Sequence, residues 1–121
     1  MKFLLIGKDI DYGGPMNPAD LVVLFENVYL PSFEMLKKWE QDKKVVGGFL
    51  AAQRAGAIII EAPSAEELSS WMTSLPFWGR LTWEVIPLQT FQSGIDDLKR
   101  QTAAIKNMAS MDQKSEQQLL P

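Results

Sequence analysis

Three consecutive isoleucines, Ile58, Ile59 and Ile60, within the run AIIIEA at residues 57–62, constrain this chain more than any other feature. Neighbouring strand residues point to opposite faces of a sheet, so this run puts apolar side chains on both. The run is short and ends at Pro63-Ser64, which marks it as a buried strand rather than a helix. A small sheet with two helices can shield only one of its faces. The other face then needs a second chain, so the expectation is assembly as a homodimer through the sheet.

A length of 121 residues fits one domain, and 46% hydrophobic with 22% charged residues is ordinary globular composition. A net charge of -3 and a pI near 4.9 argue against nucleic acid, which needs a concentrated basic face. The start MKFLLIG has too short an apolar run for a signal peptide, and no run reaches membrane-spanning length, so no membrane partner and a cytoplasmic location are expected. The chain has no Cys and no His. Disulfides, thiolate nucleophiles, histidine triads and the usual transition-metal sites are thereby excluded. Catalysis would have to use carboxylates, Lys, Arg, Tyr, hydroxyls or backbone groups, and neither cofactor nor metal is expected.

Residues 2–8 read as a first strand, followed by a loop at 9–17 containing Gly13, Gly14 and Pro15. Asn17-Pro18 is a helix-start signature. Leu21, Leu24, Phe25, Val28, Ser32, Met35, Leu36 and Trp39 then form a stripe at helical spacing. Pro31 lies inside that stripe, which predicts a kink or break at 27–31. Residues 45–53 form a second strand, where Gly47-Gly48 points to a bulge or to close approach by another backbone or a ligand. Arg54-Ala55-Gly56 is the expected turn into the isoleucine strand. Ser64, with Glu67 at capping-box spacing, starts a second helix that buries Leu68, Trp71, Met72 and Leu75 and stops at Pro76. Residues 81–87 alternate as a last strand. The order β-α-β-β-α-β is ferredoxin-like α+β, with a four-stranded antiparallel sheet in the order 4-1-3-2. The expected domain is 1–91, followed by a helical extension at 92–108 striped with Ile95, Leu98, Ile105 and Met108, and a polar, disordered tail at 109–121.

The segment SAEELSSWMTSLPFWGRLTWEVIPL resembles the C-terminal half of muconolactone isomerase-like proteins, through Leu75-Pro76-Phe77 and Glu84-Val85-Ile86-Pro87-Leu88. The likeness spans roughly residues 34–88 and the first strand more loosely. It implies the dimeric α+β barrel, in which two such sheets pack face to face, and it admits a higher oligomer. It also implies a small-molecule substrate and an isomerase that shifts a proton in an unsaturated lactone. Cofactor-free monooxygenases and polyketide-modifying enzymes share that superfamily.

Proton transfer needs a carboxylate base and a cation or donor that stabilises the enolate. The candidates are Glu61 and Glu26 as base, with Tyr29, Arg54 or Arg80 as partner. Glu61 stands out because it ends an otherwise apolar strand; the commoner fate of such a residue is the strand's wet end or a pairing with Arg54 or Arg80. Trp78 and Trp83, beside Arg80, are candidates for substrate binding, whereas Trp39 and Trp71 sit on helix stripes and read as packing. Asp9, Asp11 and the Gly13-Gly14 loop could form a cation or phosphate site, but they lack any EF-hand or P-loop spacing and read as a surface loop. The function expected is a cofactor-independent isomerase or cyclase acting on a small lactone, dienoic acid or aromatic carbonyl compound. The alternatives are a non-catalytic small-ligand or regulatory module and a cofactor-free monooxygenase.

Overall fold

The computed structural model describes residues 1–10 and 17–119, with side chains through Asp112. It falls into two units, Met1–Leu88 and Gln89–Pro121. In the first, strands β1 (Lys2–Asp9), β2 (Val45–Phe49), β3 (Ala55–Glu61) and β4 (Leu81–Leu88) form one antiparallel sheet in the order β2-β3-β1-β4. That is the expected order read from the other edge, and the fold is ferredoxin-like α+β. The two most apolar strands, β1 and β3, lie at its centre.

The first helix is interrupted where Pro31 requires it. Asn17 caps α1 (Pro18–Leu24), its side chain accepting from the Asp20 N–H at 2.9 Å. A π-helical turn at Phe25–Tyr29 follows, in which the Leu30 N–H reaches back to the Phe25 carbonyl, and α2 (Leu30–Gln41) completes the element. In a regular α-helix the Pro31 ring would press on the carbonyl of Asn27 and leave it without a donor. Widening the preceding turn relieves that clash and shifts the helix face by one residue. Ser32, fully buried, donates to the Val28 carbonyl (2.7 Å) and accepts from the Phe77 N–H (3.0 Å), fastening α2 to the loop before β4.

Ser64 caps α3 (Ala65–Thr73), accepting from the Glu67 N–H at 3.2 Å. Leu68, Met72 and Leu75 pack against Phe3, Leu5 and Ile60 in the core. A 3-10 turn at Trp78–Arg80 leads into β4.

The hairpin departs from expectation. Its turn lies at residues 50–54, where Ala52 has a φ of 59°, and β3 begins at Ala55 rather than at residue 57. Gly56, expected to turn, is paired between Phe49 and Gly7 within the sheet. Gly47, in contrast, does mark a close backbone approach. Its φ is 152°, and a Cβ there would stand 2.1 Å from the Ala57 carbonyl oxygen.

The second unit is one helix, α4 (Phe91–Leu119). The Thr90 hydroxyl accepts from the Ser93 N–H at 3.1 Å, and Arg100 pairs with Asp97. The helix continues through residues 109–119, for which the polar composition had suggested a tail. Met, Gln, Lys, Glu and Leu are all good helix formers, and no Gly or Pro interrupts them before residue 120. No helix among the described residues is long and apolar enough to cross a membrane.

Candidate functional site

Register assigns each strand residue to a face. On the helix side one row runs Phe49, Gly56, Gly7, Trp83 across the sheet. The Trp83 indole lies over Gly7, Gly56 carries no side chain beside Phe49, and the π turn and α2 border the space above them. The result is a cavity of about 850 Å³ opening to solvent past Phe25, Leu30, Phe33 and Phe49. Gly7 is required beneath Trp83, since a Cβ there would stand 2.8 Å from the indole ring. The aromatic walls lock together edge to face: Tyr29 lies 5.7 Å from Phe25 and 5.9 Å from Phe77, and Phe77 lies 6.0 Å from Trp83. Phe33 and Phe49 meet at 4.6 Å.

The polar end of the cavity is built from the end of β1. The Asp9 N–H bonds to the Arg54 carbonyl (2.9 Å), and the Ile10 N–H bonds to the Arg80 carbonyl (3.1 Å). Asp9 is thereby held between the two arginine-bearing segments. Its carboxylate accepts from the Tyr29 hydroxyl at 2.6 Å, a short charge-assisted bond, and its other oxygen stands 3.7 Å from Arg54 Nη1. Burial, and then the bond to Asp9, push the Tyr29 hydroxyl above the usual tyrosine range, while the hydrogen bond from Arg80 pulls the other way. Tyr29 therefore keeps its proton at neutral pH and serves as a donor.

Of the residues singled out from the sequence, Glu26, Tyr29, Arg54 and Trp83 border this cavity. Arg80 reaches it through Tyr29. Trp78 backs the wall, stacked on Trp83 at 5.0 Å with its carbonyl accepting from the Trp83 indole N–H at 3.0 Å. Glu61 is elsewhere: it pairs in register with Lys2, on the face turned away from the helices, and is exposed. Asp9, grouped from sequence with Asp11 and the Gly13-Gly14 loop and read as surface loop, instead closes β1 and borders the cavity. The available signal was a carboxylate closing a central strand, the same kind of signal that drew attention to Glu61. Asp11 and the Gly13-Gly14 loop lie outside the described residues. Among the described residues, no cluster of three or more His, Cys, Asp or Glu side chains is placed to hold a metal.

No protein-family model and no curated protein matches the chain. Solved structures do. Muconolactone isomerase superposes with a TM-score of 0.61 at 20% identity, covering 77% of this chain and 93% of that one. The fold is that of muconolactone isomerase. A second match is the 5-chloro-2-hydroxyhydroquinone dehydrochlorinase (TftG) of Burkholderia phenoliruptrix AC1100, solved with 2,5-dihydroxybenzoquinone. It has a TM-score of 0.55 at 24% identity and covers 76% of this chain and 97% of that one. At these identities the likeness to muconolactone isomerase carries the architecture, and the reaction has to be argued from the cavity.

Proposed function

We propose that this chain is a cofactor-independent isomerase, cyclase or related enzyme that moves a proton within an unsaturated or aromatic carbonyl compound bound in the cavity. The observation that carries this reading is the Asp9–Tyr29 pair, 2.6 Å apart, at the polar end of an aromatic-walled cavity beside Arg54. A substrate carbonyl would take over the Tyr29 hydrogen bond and so free the Asp9 carboxylate. Asp9 then accepts the proton from the carbon next to the carbonyl, and the C–H electron pair becomes a C=C bond. The carbonyl π pair moves onto oxygen, where Tyr29 and Arg54 stabilise the enolate. Return of the proton to a different carbon completes the isomerisation with no net change in protons or electrons. Glu26, on the same cavity wall, is the second candidate base. Isomerisation of muconolactone and dehydrochlorination of a hydroxyhydroquinone, the reactions named for the two structural matches, are compatible with such a pair.

The test is solvent-deuterium incorporation into lactones, dienoic acids and hydroxyquinones, screened with the wild type and then with variants. Tyr29→Phe and Asp9→Asn should each lower the exchange rate by about 10²–10⁴-fold. Unchanged exchange in Asp9→Asn and Glu26→Gln, with loss in Glu61→Gln, would move the chemistry to the opposite face and overturn the assignment.

We also infer that the open sheet face pairs with a second copy, in a cytoplasmic setting that fits a cysteine-free chain. Val46, Ile59, Leu4 and Ile86 align across that face in one apolar row, with Val46, Ile59 and Ile86 exposed. Soluble monomers seldom leave such a patch uncovered. Light scattering should give a dimer for the wild type and a monomer for Ile59→Lys.

A further inference from the structure

Resting on the proton-transfer reading above, we infer that the substrate is a polycyclic hydroxyketone of roughly hydroxyanthraquinone size, not a single ring. Volume is the first argument. At about 30 Å³ per water, 850 Å³ holds roughly thirty waters, in the upper part of the range for ligand pockets. One substituted ring would leave most of that space wet.

Length is the second. The cavity is bordered by helical residues from Phe25 to Glu40, a run of about 20 Å at about 1.5 Å per residue. Shape is the third. The Trp83 indole covers Gly7, Gly56 leaves the neighbouring strand without a side chain, and Phe33, Phe49 and Phe77 border the rest of the cavity. A flat fused-ring system can lie along these aromatic side chains and meet their ring faces and edges. A flexible acyl chain would fill the volume but would forgo those contacts and lose rotamer freedom.

The Asp9, Tyr29 and Arg54 groups gather at the β1 end, so the oxygen-bearing ring is placed there. The remaining rings extend toward Leu30, Phe33 and Phe49 at the mouth. These three side chains are exposed, 65% in the case of Phe49. A single-ring substrate held at Tyr29 would leave them that way; added rings cover them.

The experiment is calorimetric titration of the full chain with 2,5-dihydroxybenzoquinone, 2-hydroxy-1,4-naphthoquinone, 1-hydroxyanthraquinone and decanoate. Affinity should rise with each ring, by at least about tenfold from the benzoquinone to the anthraquinone, with decanoate weaker than the anthraquinone. Phe49→Ala and Leu30→Trp change surface positions at the mouth. Both should lose most of the gain in affinity from added rings. Equal affinity across the ring series, or decanoate as the tightest ligand, overturns the inference. Deuterium exchange in the same samples separates this outcome from the parent reading. Ring-dependent binding without exchange removes the proton-transfer chemistry and keeps the substrate class. Exchange on a single ring with no ring-dependent affinity does the reverse.

Discussion

The two faces of the sheet are made from alternate residues of the same strands, and they differ in one respect that separates their roles. On the helix side, the row Phe49–Gly56–Gly7–Trp83 lets the Trp83 indole lie over Gly7 and leaves Gly56 without a side chain beside the cavity. On the other side, the row Val46–Ile59–Leu4–Ile86 has a side chain at every position and so presents a flat apolar strip. A cavity needs missing volume beside polar groups, whereas an interface needs continuous apolar surface. Period-two alternation lets one sheet carry both the cavity and the apolar strip that we propose as an interface.

The largest expected effect sets neighbours on β3 against each other. Ile60 is fully buried and Ile59 is 39% exposed. Ile60→Ala should cost about 2–5 kcal/mol in denaturant unfolding of the dilute protein. Ile59→Ala should cost less there, about 1–2 kcal/mol. Equal costs would mean that the open face is covered within one protomer, and the contrast between faces would fail.

Gly7→Ala comes next. Its new methyl would meet the Trp83 ring at 2.8 Å, so the indole must move. About 1–3 kcal/mol of stability should be lost, with altered near-ultraviolet circular dichroism and loss of ligand binding. Ser32→Ala should cost about 1–3 kcal/mol, since it strands the buried Phe77 N–H. The loss should be read by thermal unfolding, and no loss would show that α2 is fastened by packing alone.

The smallest effect is on pH dependence. The folded state raises the Tyr29 pKa above 10.0, so it holds that proton more tightly than the unfolded chain does. The stabilisation is therefore complete below about pH 10 and is lost as the pH rises through the folded value. Urea unfolding of wild type and Tyr29→Phe at pH 8 and about pH 11 should show the wild type alone losing this increment.

These contrasts also mark what could be read from residues alone. Strand and helix order and the break at Pro31 follow from local pattern, because periodicity and a missing N–H act within a few residues, and the sheet order follows from that element order through crossover handedness. Gly56 was misread because glycine signals a turn and an emptied sheet position equally well; only pairing with Gly7 and Phe49 distinguishes them. Asp9 and Tyr29 are 20 residues apart, and no spacing rule joins a strand's end to a π turn. Glu61 drew notice as a charge ending an apolar run, yet local oddness does not say which face a side chain takes. The helical continuation of α4 past residue 108 was obscured because polar composition and helix propensity point in different directions there.

The most direct measurement is amide chemical-shift mapping of the full chain during titration with 2,5-dihydroxybenzoquinone. The expected result is movement at Gly7, Asp9, Tyr29, Gly56 and Trp83, with Val46, Ile59 and Ile86 unmoved. Shifts confined to the isoleucine strip, with Asp9, Tyr29 and Trp83 silent, would contradict the proposed division of the sheet into a chemical side and an assembly side.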